Sequence, residues 1–106
     1  MAKYLITGSY TAEGAKALAK DGGSARKTAV AKLLASVGGK VESFYFAFGA
    51  SDIYVTVEVP DTASAAALSL AVNKSGLVRI TVVTLLTPED VDAAAKKSVK
   101  YKAPGK

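Results

Sequence analysis

The chain has 106 residues, half of them apolar, which suffices for one domain with one hydrophobic core and leaves no room for a second. It has no cysteine and no histidine, which excludes disulfides, thiolate nucleophiles, His-held metals and the Ser-His-Asp triad, so no cofactor is expected. The net charge of +5 resides in five lysines after residue 95, because the other nine basic side chains balance the nine acidic ones.

This charge distribution bears on the expected partners. A neutral body argues against nucleic-acid binding, and the lysines after residue 95 are explained by a solvated helix end. The apolar run near the N-terminus, Tyr4 to Ile6, is too short for a signal peptide or a membrane span. We therefore expect a soluble cytoplasmic protein with no membrane partner.

The first forty residues predict a strand and two helices. Lys3 to Ser9 has the β-branched and aromatic content of a strand, and Thr11 is a suitable N-cap for a short helix over 12–20. A second helix starts at Ser24, also a good N-cap, and its apolar residues recur at helical spacing until Gly38-Gly39 ends it.

A β-hairpin follows that carries most of the aromatic residues. Val41 to Phe48 and Asp52 to Val59 flank a three-residue connection whose first residue, Gly49, suits a positive φ. Alternation predicts two faces. The face toward the helices would hold Phe44, Phe46, Phe48, Ile53, Val55, Val57 and Val59, with Glu42 at its solvent end. The opposite face would hold Val41, Ser43, Tyr45, Ala47, Asp52, Tyr54, Thr56 and Glu58.

The rest of the chain predicts a helix, a strand and a last helix. Pro60-Asp61-Thr62 starts a helix whose apolar stripe is made of small side chains: Ala63, Ala66, Ala67, Leu70 and Ala71. Leu77 to Leu86 is a strand rich in Val, Ile and Thr. Thr87-Pro88-Glu89-Asp90 then begins a helix that runs to about Ser98.

The order of these elements indicates an α+β protein. A βαββαβ sequence is the ferredoxin-like pattern, with a four-stranded antiparallel sheet, helices on one face and here an extra C-terminal helix. We expect a single domain over residues 1–98 and a basic tail over residues 99–106. The semi-polar face with its tyrosines is large enough to be covered by a second copy, sheet to sheet.

The chain resembles the GYD-domain family over nearly its full length. The resemblance rests on the order and spacing of short marks: Tyr10-Thr11 with Gly14, Gly38-Gly39-Lys40-Val41, Phe44-Tyr45 with Gly49 and Asp52, Pro60-Asp61, Gly76, Leu86-Thr87-Pro88-Glu89, Tyr101 and Pro104-Gly105. One departure is Ser51, because the family's namesake motif has a tyrosine before the hairpin aspartate.

The resemblance implies a place in the dimeric α/β-barrel group. In that group two sheets face each other, and the space between sheets, or between sheet and helices, holds a small molecule. Its members include cofactor-independent oxygenases, isomerases and ligand-sensing domains. The resemblance therefore implies a homodimer or higher homo-oligomer that binds a small-molecule ligand.

The candidate site residues lie mainly on the hairpin. Asp52 and Tyr54 are the catalytic candidates, since a carboxylate can act as a base and a phenol can donate a proton. The candidate ligand-binding residues are Tyr10, Tyr45, Asp52, Tyr54, Thr56, Glu58 and Arg79. The alternative for Asp52 is a turn cap that accepts backbone N–H groups, and for the tyrosines it is interface packing.

Two further cationic positions invite a functional interpretation. Arg79 lies in an apolar strand, where it could pair with Glu58 or a ligand carboxylate, or lie at the sheet edge. Gly22 to Lys27 puts glycines and cations at a helix start, as anion sites do, but a linker with an N-cap is the favoured interpretation.

Three functions follow from these observations. The favoured one is small-ligand binding, the second is a cofactor-independent enzyme for proton transfer or oxygenation that uses Asp52 and Tyr54, and the third is a structural or partner-binding module.

Overall fold

The computed structural model describes residues 1 to 106 and contains four strands and four helices. In chain order they are β1 (Ala2–Tyr10), α1 (Ala12–Asp21), α2 (Gly23–Ala35), β2 (Lys40–Phe46), β3 (Ile53–Val59), α3 (Thr62–Asn73), β4 (Val78–Leu85) and α4 (Pro88–Ala95). The strands form one antiparallel sheet in the order β2-β3-β1-β4. This topology confirms the ferredoxin-like fold.

The hydrophobic core lies between one face of the sheet and helices α2 and α3. Its centre is the alternate residues of β3, namely Ile53, Val55, Val57 and Val59, none of which is more than 6% exposed. Leu34 of α2 and Leu68 of α3 pack in the same cluster. The predicted burial of this side of β3 is confirmed, because successive strand residues point to opposite faces.

A register shift in β2 changes the faces predicted for the start of that strand. Val41 lies opposite Val57 and Ser43 lies opposite Thr56, so Glu42 is an extra residue in a β-bulge. Val41 therefore packs against the core, and Glu42 reaches Lys3 on the open face of the sheet. The predicted positions of Val41 and Glu42 were wrong because strict alternation does not anticipate a bulge.

The end of the same strand also departs from the prediction. Phe48 lies beyond β2, and it is 67% exposed, with its ring stacked on Phe46 at 5.8 Å between centroids. The residue with positive φ in the connection is Phe48 (φ 54°) and not Gly49. Phe44 and Phe46 are half-buried against the core, so Phe48 alone of the three was wrongly assigned to it.

The predicted starts and buried faces of the helices are only partly confirmed. Thr11 caps α1 and Asp61 caps α3, each through its side chain. Ser24 does not cap α2, whose N-cap is Gly22 with a φ of 87°. The predicted stripe of α3 was wrong, because all five of its residues are exposed and the buried residues are Ala65 and Leu68. A helix of mostly small residues does not define one apolar face.

The last part of the chain departs from a compact shape. None of the residues of α4 is buried, and the molecule measures 57 × 33 × 22 Å. The four helices are all too short or too polar to cross a bilayer.

Candidate functional site

A cavity of about 390 Å³ lies on the helix side of the sheet, between α1, α2, α3 and the start of β4. This volume falls within the usual range for small-molecule pockets, which begins at about 300 Å³. The lining residues come from these four elements, the end of β1 and the loop before β4: Tyr10, Gly14, Ala17, Leu18, Asp21, Ala25, Arg26, Ala29, Leu33, Ala71, Val72, Ser75, Leu77 and Val78. Most of them are apolar.

Small side chains on the facing helices create this space. Ala17 of α1, Ala25 and Ala29 of α2 and Ala71 of α3 all line the cavity. A leucine at any of these positions would project three more carbon atoms toward the opposite wall. All four alanines are exposed, so the cavity is open to solvent as a groove between the helices.

The N-terminus of α1 is held tightly against the loop before β4. The Thr11 backbone N–H donates to the Leu77 carbonyl at 3.0 Å, and the Thr11 hydroxyl accepts from the Gly14 N–H at 3.2 Å. A Cβ atom at position 14 would lie 1.8 Å from the Leu77 oxygen, so only glycine permits this approach. These contacts position α1 as one wall of the cavity.

Two polar side chains, Tyr10 and Arg26, stand out in the lining. Both are half-buried, and both also line a smaller cavity of about 30 Å³ that extends into the core beside Leu33 and Val72. Arg26 has no carboxylate partner, because every ion pair of the chain joins Lys3 or Lys40 to Glu42 or Glu58. The guanidinium is therefore free to bind a ligand.

Asp52 anchors the strand end that carries Tyr10. Its Oδ2 accepts a hydrogen bond from the Tyr10 backbone N–H at 2.8 Å, and its own N–H donates to the Gly8 carbonyl at 2.7 Å. The Ala47 N–H donates to the Asp52 carbonyl at 2.9 Å. The hairpin connection is thereby tied to the end of β1. The backbone N–H that the Asp52 side chain accepts belongs to β1 and not to the hairpin connection, so Asp52 joins two strands and does not cap its own turn.

The environment of Tyr10 favours the neutral phenol. Burial raises the pKa of the Tyr10 hydroxyl, the positive charge of Arg26 acts in the opposite direction, and the Asp52 carboxylate adds to the rise. Loss of the proton would place a charge in a partly apolar site, which is unfavourable. At neutral pH Tyr10 is a hydrogen-bond donor beside a permanent cation.

The other predicted site residues lie on the opposite, open face of the sheet. Tyr45 and Tyr54 are directly opposed across β2 and β3 and are both exposed, and Thr56 exchanges a hydroxyl hydrogen bond with Ser43. The structure therefore separates these residues from Tyr10, which alone of the predicted set lines the helix-side cavity. Asp52 connects the two regions through its hydrogen bonds to Tyr10 and Gly8.

Glu58 and Arg79 lie at opposite ends of the open face. Glu58 accepts from Lys40 at 3.1 Å and lies 3.9 Å from Lys3, and the Lys40 contact holds the pKa of the Glu58 carboxyl below its ordinary value. Arg79 is opposite Ser9 at the far end of β1. The suggested pairing of Arg79 with Glu58 was wrong because their registers on β1 differ by six residues.

Sequence reasoning missed most of the cavity lining. The interpretation of Gly22 to Lys27 as a linker with an N-cap was wrong, because α2 begins at Gly23 and includes Arg26 and Lys27. Leu33 and Val72 have the ordinary pattern of core residues. The one available signal was Arg26, a cation one helical turn after a glycine pair.

Comparison with known proteins agrees with the topology. The family model described as GYD domain matches residues 4–95 of the 106-residue chain. Searches of curated proteins and of solved structures gave no significant match. The match covers β1 from Tyr4 onward, the other three strands and all four helices. The chain therefore belongs to the GYD-domain family.

Proposed function

We propose that the protein binds a small, largely apolar molecule that carries a carboxylate or a similar acceptor group, in the cavity between α1, α2 and α3. The observation that carries this proposal is the combination of volume and chemistry. A cavity of about 390 Å³ with apolar walls contains the Tyr10 phenol and the Arg26 guanidinium, which has no internal carboxylate partner.

The preference for an anion follows from the donors. A guanidinium offers several N–H groups in a planar fork, and a neutral phenol offers one O–H, so together they suit a group with two acceptor oxygens. Hydrogen bonds to an ionised partner are shorter and about twice as strong as neutral ones. Asp21, at the exposed end of α1, disfavours an anion on its own side of the cavity and directs the carboxylate toward Arg26.

We also propose that the protein acts as a homodimer through the open face of the sheet. Two observations support this arrangement. Tyr45, Tyr54 and Val83 leave apolar surface exposed across three strands, and half-buried Leu5 lies between Thr56 and Val83. The ion pairs of Lys3 and Lys40 close one end of this surface. The face thus has an apolar centre and a charged rim, as interfaces commonly do.

The enzymatic alternative stays a prediction. It requires Asp52 to act as a base and Tyr54 as a proton donor. One oxygen of Asp52 accepts the Tyr10 N–H, and Tyr54 lies on the open face opposite Thr7 and Tyr45. A structural or partner-binding role also stays a prediction.

The binding proposal can be tested with naphthoate and its neutral amide as probes. We expect naphthoate to raise the melting temperature saturably and the amide to have a much smaller effect. The substitution Arg26→Gln should weaken naphthoate binding at least about tenfold, which equals about 1.4 kcal/mol. Lys27→Gln is the matched control, because Lys27 follows directly, is exposed and does not line the cavity.

Equal losses in Arg26→Gln and Lys27→Gln would indicate only general charge attraction and would overturn the proposed site. Equal binding of naphthoate and its amide would overturn the assigned ligand class.

A further inference from the structure

Residues 86–106, called the arm below, have little contact with the rest of the molecule. All of the backbone hydrogen bonds formed in the arm outside regular structure stay within it, and no side chain of the arm bonds to the body. The radius of gyration is 16.9 Å, whereas a compact chain of this length has about 13 Å. The arm therefore projects from the sheet and helices.

The arm nevertheless contains a capped helix and exposed apolar side chains that are suited to packing. Thr87 and Asp90 form a capping box, and Pro88 begins the helix. An isolated helix of eight residues is marginal in water, so α4 needs a packing partner. The arm also exposes large apolar side chains: Leu86 (65%), Val91 (52%), Val99 (79%) and Tyr101 (76%).

The charges of the arm are divided into two blocks. Glu89, Asp90 and Asp92 lie in the first turns of α4, and five lysines follow from position 96. Two such arms placed antiparallel, related by a two-fold axis near Ala94 and Ala95, would set each acidic block beside the basic block of the other copy. Placed parallel, they would oppose like charges, which is destabilising.

We propose that the arm is an interaction surface for a second copy of this chain. Each arm packs antiparallel against the other, with Val91 and Val99 in the contact and the two charge blocks paired across it. This places the partner next to the open sheet face already proposed as an interface, since α4 follows β4 after two residues. A nucleic acid fits less well, because the acidic block would repel its phosphates.

Charge reversal tests this arrangement in the full chain. One variant carries Glu89→Lys and Asp92→Lys, which leaves the capping box intact, and the other carries Lys96→Glu and Lys97→Glu. Sedimentation should show that each variant alone self-associates at least about tenfold more weakly than the wild type. An equimolar mixture should restore association, with native mass spectrometry showing a heterodimer. The matched control, Lys16→Glu with Lys20→Glu on α1, should behave as the wild type.

Unchanged self-association of both variants, or a mixture without preferred heterodimers, would overturn the proposal. If Leu5→Lys on the open face abolishes dimers while both charge reversals leave them intact, the sheet interface stands and the arm contact is wrong. One further result would contradict the proposal: the wild type is retained on immobilised nucleic acid, the variant with Lys96→Glu and Lys97→Glu is not, and both have the same mass in solution.

Discussion

The backbone N–H of Tyr10 donates a 2.8 Å hydrogen bond to Oδ2 of Asp52, which joins the last residue of β1 to the connection between β2 and β3. Tyr10 also lines the helix-side cavity. The hairpin aspartate thus acts on the cavity indirectly, by holding the strand end that carries the phenol. Asp52 is a positioning residue in this account.

Loss of this hydrogen bond should lower both stability and ligand affinity. We expect Asp52→Ala to reduce the free energy of unfolding by about 1.5–3 kcal/mol, because a hydrogen bond to a charged group is lost and the Tyr10 N–H is left without its partner. Naphthoate binding should weaken as well. Urea denaturation and probe-induced thermal shifts measure the two effects.

Ser51→Ala is the matched control for Asp52→Ala, since the Ser51 side chain makes no hydrogen bond in the structure. It should change the unfolding free energy by no more than about 0.5 kcal/mol. Equal effects at the two positions would show that Asp52 does not hold the strand end in the way described.

Filling the cavity should weaken ligand binding without lowering the stability of the fold. Ala29 lines the cavity, so Ala29→Leu should reduce naphthoate affinity at least about tenfold. The unfolding free energy should stay within about 0.5 kcal/mol or rise, because added apolar carbon fills empty space. Ala31→Leu is the control, because Ala31 is an exposed residue of the same helix that does not line the cavity. Full naphthoate affinity in Ala29→Leu would place the probe elsewhere.

The close approach of α1 to the loop before β4 should depend on glycine at position 14. Gly14→Ala should cost about 2 kcal/mol or more, because the new Cβ would lie 1.8 Å from the Leu77 oxygen and the helix must move. Gly49→Ala, with no atom near the new Cβ, should cost at most about 0.5 kcal/mol. Similar melting temperatures for the two variants would contradict the packing of α1.

The raised pKa of Tyr10 predicts a loss of stability in alkaline solution. The neutral Tyr10 phenol contributes fully to the free energy of unfolding at pH values below its ordinary pKa of 10.0. This contribution is lost as the pH rises through the higher pKa of the folded state. Tyr10→Phe cannot ionise, so its stability should fall less steeply with pH in that range. Urea denaturation between about pH 8 and pH 11 compares the two. Parallel curves would show that the phenol ionises as easily in the folded state as in the unfolded one.

The sequence predicted those parts of the fold that depend on simple periodicity. Val55 and Val57 are buried as strand alternation requires, and α4 begins at the capping box that the residues Thr87 to Asp90 predict. The errors arose where a single residue changes the pattern. The bulge at Glu42 reversed the face of Val41, and the positive φ of Phe48 turned its ring to solvent.

The candidate site was harder to predict, because the cavity exists where the lining side chains are small, and small side chains give no distinctive sequence pattern. Ala25 and Ala29 carry little hydrophobic signal, and nothing in their spacing says that they face small residues on α1 and α3. Arg26 has the sequence pattern of a solvated helix cation. Tyr10 was identified because it follows a strand, and its environment depends on Arg26 and Asp52, which lie far away in the chain.

The most direct test of the central claim is to map naphthoate on the protein by amide chemical shifts in ¹H–¹⁵N NMR spectra. The cavity predicts that the shifted amides cluster around Tyr10, Arg26, Leu33 and Val72, and that Arg26→Gln removes these shifts. Shifts confined to Tyr45, Tyr54 and Thr56 would instead place the ligand on the open face of the sheet and contradict the helix-side site.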